Sequence, residues 1–196
     1  MQSIRDRITE QISVLTAILE DADLVSTIQA LSAEMGSSLR NGGKILFCGN
    51  GGSAADAQHL AAELSGRFYY DRDPLDAEAL HVNTSYLTAV ANDYSYDDIF
   101  VRLVKAKGRK GDVLVGLSTS GNSRNVIKAV DFANAMGMIT AGLTGATGGL
   151  LKDKCAYLIR VPSQNTPRIQ EGHILIGHII CERVESDLFP NPMKAE

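Results

Sequence analysis

The chain has little of what marks specialised protein classes: among 196 residues it has no tryptophan, 5 prolines and 3 cysteines. Few prolines together with 44% hydrophobic residues argue against a disordered chain or a fibrous repeat. The cysteines Cys48, Cys155 and Cys181 are odd in number, widely separated and set in apolar surroundings. They do not fit the disulfide framework of a secreted domain, so we expect reduced thiols and a cytoplasmic protein.

A large excess of one charge and long apolar runs are also missing. The chain has 19 Lys and Arg against 23 Asp and Glu, a net charge of -4, so no overall field attracts nucleic acid or an anionic membrane. No apolar run reaches the roughly 18 to 20 residues that cross a bilayer. The first ten residues lack the apolar stretch of a signal peptide. We therefore expect neither a nucleic-acid partner nor a membrane.

Short apolar segments alternate with helical patterns along the chain. Such strands form parallel sheets covered by helices on both faces, because each parallel connection needs a crossover. The patterns predict strands near 44–48, 79–82, 112–117, 138–143 and 157–161, and helices near 4–19, 24–40, 54–64, 86–91, 122–136 and 167–188. The predicted fold is α/β, a three-layer sandwich with a five-stranded parallel sheet. We expect one domain over residues 1–196, with N-terminal helices about 4–40 and an α/β core about 44–188.

The first loop with chemical potential runs from Gly49 to Ser53, with the sequence Gly-Asn-Gly-Gly-Ser between a strand and a helix. Free backbone N–H groups at the start of that helix and the Ser53 hydroxyl can bind an anion. The alternative is a tight turn that needs glycine at positive φ. The loop has neither a Walker A ending nor dinucleotide-binding spacing, so ATP and NAD are not indicated.

The second loop, residues 118–123, again joins a strand to a helix, and it offers four hydroxyl groups within six residues. Hydroxyl and backbone donors beside a helix N-terminus form a phosphate site, and the scarcity of cations suits a sugar phosphate that must leave after turnover. The alternative makes Asn122 a helix N-cap in a serine-rich turn. Because that leaves most of the hydroxyl groups without a role, phosphate binding is favoured.

Two histidines share predicted helices with residues that could bind a metal together with them. His59 and Glu63 are spaced i, i+4, so they share one helix face and can bind one metal, although such pairs are also common on solvated surfaces. Gln170 and His178 are separated by roughly 12 Å along the last helix and about 80° around it. They reach one metal only if long side chains converge, the helix start distorts or two subunits contribute. A histidine in this apolar segment is by default a hydrogen-bonded core residue.

The two loops, residues 49–53 and 117–123, resemble those of the sugar isomerase domain family of phosphosugar isomerases and sugar-phosphate-sensing regulators. The resemblance implies a five-stranded parallel sheet between helices, with phosphate held by the serine-rich loop. His59, Glu63, the segment 168–173 and His178 narrow the resemblance to the phosphoheptose isomerases, over nearly the whole chain. The sequence departs from the family pattern at Pro167, where some family members carry an acidic residue.

The narrower resemblance implies one Zn²⁺ per subunit, with His59, Glu63, Gln170 and His178 as ligands. It implies that Glu63 and His178 are the catalytic proton-transfer pair, with Glu63 as base at carbon and His178 as acid at the oxygens, or the reverse. The substrate-binding positions that it implies, together with the Ser53 hydroxyl of the first loop, are Asn50, Gly51, Gly52, Ser53, Glu63, Asn92, Asp93, Ser118, Thr119, Ser120, Ser123 and Gln170.

The implied activity is the isomerisation of sedoheptulose 7-phosphate to D-glycero-D-manno-heptose 7-phosphate, the first step of bacterial heptose biosynthesis, by a homotetramer with sites at subunit interfaces. The alternative is a catalytically silent member of the fold that binds a replication-initiation partner. Because such a protein needs no proton-transfer groups, Glu63 and His178 favour the enzyme. A sugar-phosphate-sensing transcription factor would need a DNA-binding segment, which the sequence lacks.

Overall fold

The computed structural model describes residues 3–189. Within them the chain forms five strands, Ile45–Gly49 (β1), Ala77–Ala79 (β2), Val113–Leu117 (β3), Ile139–Thr144 (β4) and Tyr157–Arg160 (β5). The helices are Ile4–Glu20 (α1), Ala22–Arg40 (α2), Gly52–Ser65 (α3), Thr84–Asp93 (α4), Ile99–Lys107 (α5), Arg124–Ala135 (α6) and Thr166–Leu188 (α7), with short 3-10 helices at Tyr96–Asp98 and Gly149–Asp153.

The strands form one parallel sheet in the order β2-β1-β3-β4-β5. Every residue of β1 and β3 is buried, as expected for central strands covered on both faces. The chain moves outward from β1 to β2 and then returns to β3, so the strand order reverses between β1 and β3. Gly49 pairs with Leu117, which brings the loops after these two strands to the same edge of the sheet. Ligands of open α/β sheets bind at such a reversal.

Helices cover both faces of the sheet. Helices α1, α2, α3 and α7 pack on one face, where Leu31, Leu60 and Ile176 are buried against the strands. Helices α4, α5 and α6 pack on the other face around Phe100 and Val126. The predicted three-layer α/β sandwich with a five-stranded parallel sheet is therefore confirmed. Across residues 3–189, none of the helices combines the length and apolar character needed to cross a membrane.

Two elements differ from the predicted pattern. The strand expected at 79–82 is β2, Ala77–Ala79, which contains the charged Glu78 and therefore has no clear apolar signal. Helix α5 was missed because its buried side chains begin with three consecutive apolar residues, a run that is as typical of a strand. In contrast, α7 begins at Thr166 with Pro167 in its first turn, close to the predicted start.

Candidate active site

The glycine-rich loop after β1 combines both interpretations that the sequence allows. Gly51 has φ +57°, a conformation that favours glycine, and a Cβ on Gly49 would lie 2.5 Å from the backbone oxygen of Ser53. The tight turn therefore does need glycine. Yet no side chain caps α3, which follows directly, so its first N–H groups are available to an anion. Ser53 is buried in the first turn of this helix.

The serine-rich loop after β3 is partly organised by its own hydroxyl groups. The Oγ atoms of Ser118 and Ser123 are 2.9 Å apart, and Ser120 Oγ accepts a 3.1 Å hydrogen bond from the Asn122 N–H. The N-cap of α6 is Ser123 rather than Asn122, and it makes no side-chain capping bond. Asn122 instead accepts a hydrogen bond from the Leu150 N–H. The start of α6 is thus a second uncapped helix N-terminus, beside Ser120 and Ser123.

A pair of amide side chains joins the two loops. Asn50 Nδ2 donates to Asn125 Oδ1 over 3.0 Å, and Asn125 Nδ2 donates to Asn50 Oδ1 over 2.9 Å. Tyr96 Oη donates to the same Asn50 oxygen over 3.1 Å. Sequence reasoning missed Asn125 and Tyr96, because neither belongs to a recognisable motif. The amide of Asn50 is therefore largely committed to holding the loops together, which leaves one N–H for a substrate.

Asn92 and Asp93 lie at the C-terminal end of α4, where Asn92 Nδ2 donates to Asp93 Oδ1 over 2.9 Å. Both side chains are exposed. The 3-10 helix that follows carries Tyr96 and is attached through it to Asn50. This segment therefore borders the glycine-rich loop, which is the neighbourhood expected for the two residues.

Three of the four residues expected to bind a metal meet within one chain. His59 Nε2 lies 2.9 Å from His178 Nε2 and 3.2 Å from Glu63 Oε1. One ligand atom from each residue lies within 4.8 Å of the other two. Helix α3 presents His59 and Glu63 on one face, and α7 brings His178 to the same place. His59, Glu63 and His178 thus converge within one chain, whereas the spacing difficulty concerns Gln170 and His178.

Gln170 lies near the start of α7 and packs against the start of α3. A Cβ built on Gly52 would be 2.6 Å from Gln170 Nε2, so the glycine is what allows the amide to lie there. Gly52 precedes His59 by seven residues, or roughly 10 Å of helix. The amide therefore faces the glycine-rich loop, which suits the expected substrate contact, and a role as metal ligand stays a prediction.

Asp56 was not singled out from the sequence, although it precedes His59 by one helical turn. Its Oδ2 atom is buried and has no hydrogen-bond partner among the described residues. Burial raises the pKa of this carboxyl group, while the nearby His59 and His178 lower it. The histidine pair thus has a carboxyl group beside it in addition to Glu63.

The geometry of the group fits a zinc ion. Zinc is held by imidazole nitrogen and carboxylate oxygen at about 2.0 to 2.2 Å, which places tetrahedral ligands roughly 3.3 Å apart. The separations of 2.9 Å and 3.2 Å measured from His59 Nε2 are close to that spacing. Two imidazoles and a carboxylate also form a donor set that zinc prefers. The side chains present could hold the metal after a small adjustment.

The SIS domain family matches residues 10–145, more than half of the chain. The fold and its two loops thus define a SIS-domain protein. Phosphoheptose isomerase 2 of Campylobacter jejuni is 51% identical over 186 residues, covering 95% of this chain and 92% of the relative. The phosphoheptose isomerase of Aneurinibacillus thermoaerophilus is 51% identical over 188 residues, covering 96% of this chain and 95% of the relative.

A solved structure agrees with these relatives. The phosphoheptose isomerase of Neisseria gonorrhoeae superimposes with a TM-score of 0.84 at 45% identity, covering 94% of this chain and 100% of that chain. Within the SIS-domain proteins, the chain belongs to the phosphoheptose isomerase family.

Proposed function

We propose that this protein is an aldose-ketose isomerase that converts sedoheptulose 7-phosphate to D-glycero-D-manno-heptose 7-phosphate, the first step of bacterial heptose biosynthesis. The observation that carries the proposal is the group formed by His59, Glu63 and His178 on helices that begin at the candidate phosphate-binding edge. The names of relatives that are 51% identical over nearly the whole chain point to the same substrate class.

The reaction moves one proton between two carbons and another between two oxygens. A base removes a proton from C1 of the ketose, which gives an enediol, and the proton is returned to C2. The O1 proton is lost and an O2 proton is gained, so the product is the aldose. Glu63 is the base at carbon, and His178 serves the oxygens as general acid and base.

His59, Glu63 and His178 would hold the zinc ion, one per subunit, with Gln170 as the fourth ligand. A bound zinc polarises a carbonyl group and stabilises negative charge on its oxygen as a Lewis acid. Glu63 has two carboxylate oxygens, so one can bind the ion while the other accepts the proton from carbon. His59 Nε2 is 3.2 Å from Glu63 Oε1, so one ion could be bound by both atoms.

The phosphate group of the substrate is bound by hydrogen-bond donors rather than by cations. The uncapped starts of α3 and α6 supply backbone N–H groups, and Ser118, Thr119, Ser120 and Ser123 supply hydroxyl groups. Asn50, Asn92, Asp93 and Gln170 would contact the sugar hydroxyl groups. Such a site releases its ligand after each turnover more readily than an arginine clamp does.

The active unit is a homotetramer with sites at subunit interfaces, working in the cytoplasm, and each subunit is a single SIS domain. Helix α1 supports assembly, because Ile4, Ile8 and Ile12 follow one another at four-residue spacing on one helix face and are 82%, 56% and 57% exposed. On α7, Leu175 and Ile179 are also exposed. Contiguous apolar stripes of this kind are typical of protein interfaces.

The test is a coupled assay of purified protein with sedoheptulose 7-phosphate, with and without a chelator. We expect aldose phosphate to form, chelation to stop it and added Zn²⁺ to restore it. Glu63→Gln and His178→Ala should each lower the rate by about two or more orders of magnitude while the protein stays folded. Absence of turnover in the zinc-loaded protein would contradict the proposal and favour a silent member of the fold that binds a replication-initiation partner.

A further inference from the structure

An ion pair between Arg72 and Glu185 lies beside the candidate metal-binding group, which is formed by His59, Glu63 and His178. Arg72 belongs to the segment between α3 and β2, and Glu185 follows His178 by two turns of α7. The side chains are 2% and 1% exposed, and Arg72 Nε lies 3.0 Å from Glu185 Oε1. Among the ion pairs within residues 3–189, it alone has both side chains almost completely buried. Such burial requires many hydrogen bonds to compensate for the lost water.

The guanidinium group of Arg72 closes the end of α3. Its Nη1 donates to the carbonyl oxygens of Leu64, Gly66 and Asp73 over 2.8, 2.9 and 3.0 Å. Its Nη2 donates to the carbonyl oxygen of Glu63 over 3.0 Å. The last carbonyl groups of a helix have no partner within the helix, so Arg72 satisfies them and fixes the turn that carries Glu63.

The carboxylate of Glu185 holds the segment that leaves α3. Its two oxygens accept hydrogen bonds from the N–H groups of Phe68 and Tyr69, each over 2.8 Å. The ring of Phe68 lies 5.9 Å, centroid to centroid, from the imidazole of His178. The segment thereby packs an aromatic ring against a residue of the metal-binding group.

We propose that Arg72 and Glu185 are positioning residues for the group formed by His59, Glu63 and His178. The pair connects the end of α3 to α7, and thus sets the separation of the two helices that supply the three side chains. It also places Phe68 against His178. An apolar pair could stabilise the same contact, but it could not bind the backbone groups of residues 63–73. The expected effect of the pair on catalysis rests on the proposed function.

The test compares Glu185→Gln and Arg72→Lys with Asp112→Asn, a matched control. Asp112 is also 2% exposed. Its carboxylate accepts hydrogen bonds from the backbone N–H groups of Lys44 and Arg109 and from the ammonium group of Lys44. It precedes β3, at the edge of the sheet opposite the loops. Loss of stability alone should therefore affect the control as much as the two variants.

Each apo protein is titrated with Zn²⁺ against a chromophoric chelator at a temperature below its own unfolding midpoint. The kinetic constants kcat and KM are measured separately. We expect Glu185→Gln and Arg72→Lys to weaken zinc binding and lower kcat by about tenfold or more, with little change in KM. In the control Asp112→Asn, zinc affinity and kcat should stay within about twofold of the wild type. Zinc affinity and kcat that follow the control in both variants would overturn the proposal.

Phe68→Leu gives a second test that leaves the buried charges in place, should the other variants fold poorly. We expect it to shift the NMR signals of the His178 imidazole and to weaken zinc binding, and unchanged signals and affinity would count against the proposal. The imidazole signals of Glu185→Gln separate this inference from the proposed function. A shift of those signals in a protein without isomerase activity would support positioning and refute the activity.

Discussion

Helices α3 and α7 pack closely beside the group formed by His59, Glu63 and His178. Gly177 precedes His178 in α7, and Leu60 follows His59 in α3. A Cβ built on Gly177 would lie 2.5 Å from Leu60 Cδ2 and 2.6 Å from Leu60 Cδ1. Leu60 is 2% exposed, so its side chain cannot turn away into solvent. Gly177→Ala therefore tests whether the group depends on this close contact.

The expected size of the effect follows from these distances. Carbon atoms pack at about 3.5 to 4.0 Å, so the helices must separate by roughly 1 Å. Alanine gains about 1 kcal/mol of helix propensity over glycine, and overpacking costs about 1 to 3 kcal/mol. The free energy of unfolding should thus fall by no more than about 2 kcal/mol. A shift of about 1 Å at the reacting groups lowers turnover by about 100-fold.

Urea unfolding, zinc titration and turnover measure the two effects separately. Gly36→Ala is the control, because a Cβ there would meet only the carboxylate of Asp187, 2.7 Å away at the end of a half-exposed side chain. It should raise or preserve stability and leave turnover unchanged. In Gly177→Ala combined with Leu60→Ala, the atoms that clash are gone, so turnover should recover although stability falls. Near-normal turnover in Gly177→Ala would refute the idea that this contact sets the group.

Three further predictions concern the loops and the core. Asn125→Ala removes the amide pair that joins the loops, so the KM for the sugar phosphate should rise about tenfold in steady-state assays, while Asn134→Ala on the same helix should leave it unchanged. Ser120→Ala and Ser123→Ala should each weaken sugar-phosphate binding by about 1 to 3 kcal/mol by calorimetry, and equal affinity for the unphosphorylated sugar would remove the serine-rich loop from the site. Burial lowers the pKa of His173 from 6.5 to about 4. The unfolded chain therefore binds a proton first as the pH falls, and urea unfolding should show up to about 3 kcal/mol of stability lost between pH 6.5 and 4, a loss that His173→Gln should remove.

Local patterns in the sequence predict much of the fold and of the loops. The alternation of apolar segments and helices gave the five-stranded parallel sheet, and Gly51 and Gly121 stand where the backbone needs positive φ. Glycine and serine signals depend on neighbouring residues, so they can be read without a structure. Helix α5 is not predicted, because a short apolar run fits a strand as well as a helix.

The supporting contacts could not be predicted, because they join distant parts of the chain. Arg72 and Glu185 are 113 positions apart, and Asn50 and Asn125 are 75 apart. Nothing near either residue in the sequence indicates its partner. The position of Gln170 is similar: the resemblance relates it to the metal, whereas its contact with Gly52 depends on how α7 packs on α3.

The shortness of the outer strands affects how copies of the protein can meet. The sheet ends in β2 on one side and β5 on the other, of 3 and 4 residues. Exposed strand edges are templates for aggregation, and a short edge offers few unpaired backbone groups to a neighbouring sheet. The short edge strands thus disfavour fibril formation by continued strand addition between copies of the protein. Contacts between copies would instead fall to the helical surfaces, whose side chains can select one closed arrangement over an open-ended polymer.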